Sequence, residues 1–76
     1  MNAKNLQAGR YRHYKGNDYQ ALYVAQHSET REHMVVYRCL YGDFSLWVRP
    51  YDMFVETVVV DGKEIPRFAF VEPMAE

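Results

Sequence analysis

Apolar and polar residues alternate in short runs along most of this chain, and turn-forming residues interrupt the runs at intervals of roughly ten residues. That rhythm predicts strand after strand: about Arg10 to Tyr14, Tyr19 to Gln26, Met34 to Tyr41, Ser45 to Arg49, Phe54 to Val60 and Lys63 to Val71. Gly16-Asn17 reads as a two-residue turn between the first pair, and Gly42-Asp43 as one between the third and fourth strands. Asp61-Gly62 is the strongest hairpin signal, a type I′ turn. Pro50 fixes φ and favours a helix-like turn through Tyr51, Asp52 and Met53. Pro66 cannot donate to a ladder, so its part of the sixth strand belongs on an edge or at a bulge.

Turn positions set registers, and registers sort side chains onto faces. With Gly16-Asn17 as the turn, Tyr14 faces Tyr19, Arg12 faces Ala21 and Arg10 faces Tyr23. With Gly42-Asp43, Cys39 faces Leu46, Tyr37 faces Val48 and Arg38 faces Trp47. With Asp61-Gly62, Val55 faces Phe68 and Glu56 faces Arg67 as a cross-strand ion pair. The expected core is then Tyr11, Leu22, Val24, Val35, Tyr37, Cys39, Leu46, Val48, Val55, Phe68 and Phe70, with Phe54 plugging one end. Six short antiparallel strands with one helical turn before the fifth predict an all-β fold, a small antiparallel SH3-like barrel. A two-layer sandwich is the alternative, for which 76 residues are few. The barrel would span residues 9–71 as a single domain, with short tails at 1–8 and 72–76.

Composition narrows this picture. Hydrophobic residues make up 49% of the chain, a globular composition rather than a disordered one. Aromatics reach 16%, which lets a small core bury adequate area. A single cysteine excludes an internal disulfide and favours a reducing, cytoplasmic setting. No run is long and apolar enough for a signal peptide or a membrane span. The net charge of −1 argues against a strong electrostatic nucleic-acid binder. A basic first strand and an acidic last strand would neutralise each other if they pair.

Several stretches resemble a bacterial family of small proteins known as domain of unknown function 1653. They are Gly9-Arg-Tyr-Arg-His-Tyr-Lys-Gly16, Ala25-Gln-His-Ser-Glu-Thr30, Val36-Tyr-Arg-Cys-Leu-Tyr-Gly42, Leu46-Trp-Val-Arg-Pro50 with Met53-Phe54, and Val60-Asp-Gly-Lys63. The resemblance implies a stand-alone bacterial β domain and brings no activity, ligand or catalytic residue. One departure lies at Phe44 and Ser45, where glycines are common in the family; it would stiffen that turn.

The candidate chemistry is a mixture of arginine and aromatic surface. Trp47, Arg49 and Tyr51, extended by Arg38, would form an outward groove suited to a protein or peptide partner. A non-catalytic binding module of that kind is the first expectation. Arg10, Arg12, Tyr14 and Tyr19 would share another outer face, which could take single-stranded nucleic acid or a nucleotide. Set against both, arginines and aromatics placed across strands satisfy one another by cation–π contact. His13 and His27, if they meet at one barrel mouth, could serve a small enzyme acting on an anionic substrate. The histidine and cysteine spacing fits no metal site, and no cofactor is implied. An open sheet edge near Pro66 could mediate a homodimer.

Overall fold

The computed structural model describes residues 5–74. Its strands are β1 (Gly9–His13), β2 (Asp18–Gln26), β3 (His33–Cys39), β4 (Leu46–Pro50), β5 (Thr57–Val60), β6 (Lys63–Pro66) and β7 (Phe68–Glu72), with one short helix, α1 (Tyr51–Val55), between β4 and β5. A five-stranded sheet runs β4-β3-β2-β1-β7, and β5-β6 form a separate hairpin. The all-β class holds, but the barrel is open: β4 and β7 remain as the two edges of the curved sheet. The sixth predicted strand breaks at Arg67, directly after Pro66, so its first half pairs with β5 and its second with β1.

The last hairpin follows its turn chemistry. Asp61 and Gly62 sit at φ 52° and 76°, the left-handed values a type I′ turn needs. Thr57 pairs with Pro66 and Val58 with Ile65, the expected register. Glu56 and Arg67 meet as predicted, with Arg67 Nε 2.8 Å from the carboxylate.

The other two hairpins are slipped by an odd number of residues, which turns side chains to opposite faces. In the first, the His13 N–H donates to the Asn17 carbonyl at 2.8 Å, enclosing a three-residue loop. Tyr11 therefore faces Tyr19, and Arg12 faces Asp18. In the second, the loop is longer than two residues. Gly42 and Phe44 both take positive φ, Ser45 N–H donates to Asp43 Oδ1 and Cys39 N–H to the Ser45 carbonyl. Trp47 then faces Tyr37, and Arg49 faces Val35. Leu46 and Val48, expected in the core, lie outside at 55% and 57% exposure. An extra residue in β2, Leu22, makes a bulge between β2 and β3.

The buried core is Tyr11, Ala21, Val35, Tyr37, Cys39, Phe54 and Phe68. Phe54, at the end of the turn opened by Pro50, stacks on Phe68 with ring centroids 4.2 Å apart and planes 2° apart. Tyr11 meets Phe54 in a T-shaped contact at 5.4 Å between centroids. Phe70 and Val55, also expected inside, are more than two-fifths exposed, because the chain breaks before β7 and α1 ends at Val55. Residues 5–8, ahead of β1, carry no strand, yet Leu6 packs against the core. The Tyr11 and Tyr51 hydroxyls donate to the Gln7 and Asn5 carbonyls, at 2.7 and 3.0 Å.

Candidate functional site

The slipped register of β4 builds a cleft on the concave face. Trp47 points inward from β4 beside Tyr37 of β3, and Tyr19 of β2 closes the floor. The cleft is about 240 Å³ and continues to Tyr41, Cys39 and Ser45. Tyr19 meets Tyr37 and Tyr41 edge-on, at 5.4 and 5.6 Å between centroids. The Tyr19 and Tyr41 hydroxyls are 2.9 Å apart, and this hydrogen bond, with burial second, raises the Tyr41 phenol above its ordinary pKa. The Trp47 indole N–H donates to Ser45 Oγ at 2.8 Å, which fixes the ring while leaving it 55% exposed.

Arg49 lies two residues along the same face. Its guanidinium carbon is 5.5 Å from the centroid of the Phe68 ring, on which Phe54 also stacks. Arg49 Nε is buried with no hydrogen-bond partner. His13 packs edge-on against the same Phe68 ring at 4.9 Å. Burial first, then the positive charges of Arg67, Arg49 and Lys15, holds the His13 imidazole below its usual pKa.

The predicted site residues divide accordingly. Trp47 and Arg49 share the inner face of β4 rather than an outer groove, Trp47 lining the cleft and Arg49 lying beyond it over Phe68. Arg38 does not join them: it faces Gln20 and Leu46 on the outer side and donates to the Phe44 carbonyl at 3.2 Å. Tyr51 begins α1 and ties down Asn5, away from the residues that line the cleft. Tyr37 and Tyr41, absent from the sequence-based site, line it. Their signal was hidden in the loop, since nothing in the residue type of Phe44 announces a positive φ.

The expected face of Arg10, Arg12, Tyr14 and Tyr19 is not assembled. Tyr19 points into the core, because the register shift pairs it with Tyr11. Arg12 Nε and Arg10 Nη1 bind the two oxygens of Asp18 at 2.7 and 2.8 Å, and Arg10 Nη2 binds Glu72 at 2.7 Å. One ion pair, Arg10–Glu72, joins the basic β1 to the acidic β7, and the other acceptor of these arginines, Asp18, stands on β2. Tyr14 stands apart at the β1–β2 loop, with Arg67 6.0 Å from its ring centroid.

His13 and His27 do not meet. They lie at opposite ends of β2, roughly 30 Å of extended strand. His27 Nδ1 accepts the N–H groups of Glu29 and Thr30 at 3.1 and 3.3 Å, closing its own loop. Among the described residues no group of three metal-ligating side chains converges. Among the described residues no helix is long and apolar enough to cross a membrane.

The β4 edge adjoins the cleft. Cys39 N–H donates to the Ser45 carbonyl at 3.0 Å, so alternation makes Tyr37–Trp47 and Val35–Arg49 the hydrogen-bonded pairs. The backbone groups of Leu46 and Val48 then point outward from the open edge, where no strand among the described residues pairs with them.

Comparison with known proteins agrees with the fold. The sequence profile of the family described as Protein of unknown function (DUF1653) matches residues 9–70. The chain belongs to this family. A crystal structure of a DUF1653 protein from Bordetella bronchiseptica superimposes with a TM-score of 0.82 at 38% identity, covering 95% of each chain. A search of curated proteins finds no match. For this DUF1653 chain, any chemistry must be argued from its own residues.

Proposed function

We propose that this DUF1653 domain is a bacterial, cytoplasmic, non-catalytic binding module that takes up an extended segment of a protein partner along β4. The reading treats the fold as an SH3-like barrel left open, whose free edge is the recognition surface. The observation that carries it is the state of β4. Leu46, Trp47 and Val48 are consecutive, apolar and each more than half exposed, on a strand with one unpaired edge. Natural edge strands are blunted by charge, proline or bulges; in β4 the charge and the proline, Arg49 and Pro50, stand at the last two positions and leave Leu46, Trp47 and Val48 uncovered. An added strand would pair with the outward backbone groups of Leu46 and Val48 and set alternate side chains into the aromatic cleft.

Trp47 is the one tryptophan of the chain, so its emission reports on the cleft directly. Short strand-forming peptides should change that emission in a saturable, weakly salt-dependent way. Val48→Pro should abolish the change, because it removes an outward N–H while the β3–β4 ladder persists. Saturation by single-stranded oligonucleotides at low salt, with no response to peptides, would refute the proposal in favour of nucleic acid. Self-association that disappears in Val48→Pro would instead make a second copy the occupant of the edge.

A further inference from the structure

We infer that the segment bound at β4 carries a carboxylate side chain two residues from its apolar anchor, and that Arg49 recognises it. This rests on the peptide-binding reading above. Among the arginines with tertiary contacts, most already hold oxygen acceptors: Arg10 and Arg12 share Asp18, Arg67 holds Glu56, and Arg38 reaches a backbone carbonyl. Arg49 differs. It is half-buried on the concave face, rests on the Phe68 ring and makes no side-chain hydrogen bond or ion pair with a described residue; its buried Nε lacks an acceptor, as does that of Arg10, but the Arg10 Nη groups hold Asp18 and Glu72. A guanidinium N–H withdrawn from water without an acceptor is costly, and an incoming oxygen would relieve it.

The surroundings ask for negative charge. Arg67 and Lys15 lie in the same neighbourhood of His13 as Arg49, and Glu56 is already taken by Arg67. A single planar carboxylate matches the fork of one arginine, both in charge and in geometry.

Spacing turns this into a motif. Trp47 and Arg49 are two residues apart on one face, roughly 7 Å along the strand. A strand added antiparallel to β4 places the residue opposite Arg49 two positions before the one opposite Trp47. That is Glu-x-Leu for an aliphatic anchor. A parallel strand reverses the order to Leu-x-Glu.

The probes are terminally blocked heptapeptides of threonine and valine carrying Glu-Thr-Leu or Leu-Thr-Glu at the centre, each with a twin in which glutamine replaces glutamate. Binding to the intact domain is read by Trp47 emission. One orientation should bind roughly tenfold tighter than its glutamine twin. Arg49→Gln should erase that difference while still binding the glutamine peptide, and Arg49→Lys should keep part of it. If Arg49→Gln does not fold, the Arg49 Nε–H resonance of the wild-type protein gives the same answer, moving with the glutamate peptide and not with its twin. Equal binding of both twins overturns the carboxylate assignment and leaves the peptide reading intact. A preference that survives in Arg49→Gln assigns it to another cation and overturns the role of Arg49. No response to any of the peptides overturns both.

Discussion

Truncating Phe54 to alanine should bring this domain close to unfolding. The ring is 1% exposed, stacks on Phe68 at 4.2 Å and touches Tyr11 and Tyr37 at 5.4 and 5.8 Å. Phe→Ala at a fully buried site loses transfer energy and leaves a cavity, together about 3–5 kcal/mol. Here three ring contacts are lost together, which places the expected cost at the upper part of that range. A chain of 76 residues at ordinary stability per residue has about 4–11 kcal/mol in total. The loss is therefore a large fraction of everything that holds the domain together.

Phe54→Leu makes the measurement tractable. It keeps most of the volume and should cost about 1–2 kcal/mol, or a fall in Tm of about 5–15 °C for a domain of this size. Urea unfolding followed by Trp47 emission and by far-ultraviolet circular dichroism gives both values, with unchanged slope as the check on two-state behaviour. Val59→Ala serves as the control, since Val59 is 70% exposed and should change stability by less than about 0.5 kcal/mol. If Phe54→Ala costs no more than that control, Phe54 does not plug the open barrel and the core has been misassigned.

Other substitutions probe the edges and the charges. Gly9→Ala should cost about 1–3 kcal/mol by urea titration, because Gly9 sits at φ 152° and a methyl group there would run into the Glu72 carbonyl and the Phe70 ring; a neutral result would remove close β1–β7 packing as the reason for glycine. The Asp18 carboxyl is held below the usual range, chiefly by its hydrogen bond from Arg12. It should therefore stabilise the fold above about pH 4 and lose that contribution as pH falls through its lowered value, a dependence that Asp18→Asn should flatten at low salt. His13 is also lowered, first by burial, so stability should decline as pH drops from about 6.5 through its folded value. His13→Gln should reduce that decline between neutral and mildly acid pH, and an unchanged slope would exclude His13 as its source.

The legible part of the fold was written in local chemistry. Asp61-Gly62 demanded left-handed φ at two successive positions, and that alone fixed the β5–β6 register and the Glu56–Arg67 pair. Val35, Tyr37 and Cys39 alternate on a strand flanked by β2 and β4, so their burial followed from period two. The illegible part lay where loop length, not residue type, decides the outcome. Gly16 closes a three-residue loop as readily as a two-residue one, and the difference moved Tyr19 from surface to core. Trp47 and Arg49 could be picked out as a pair, since they share a face in any register, but which face was set by Phe44 adopting a conformation unusual for an aromatic residue.

That loop decides what β4 presents. A two-residue turn would bury Leu46 and Val48 and send Trp47 and Arg49 outward. The loop held by Asp43, Ser45 and the two positive-φ residues does the reverse. Leaving a leucine and a valine half-exposed forfeits about 1–3 kcal/mol of burial, in a chain that has little to spare. An edge strand built this way is favoured in isolation only weakly, yet the same arrangement aims one face of β4 into an aromatic cleft. It also leaves the apolar side chains of the other face for an added strand to cover. Recovery of that burial on binding, together with an acceptor for Arg49, is the physical reason to look for the partner at β4 rather than at β7. There Glu72 and Arg10 already pair across the end of the edge strand, and Phe70 leans on Tyr11.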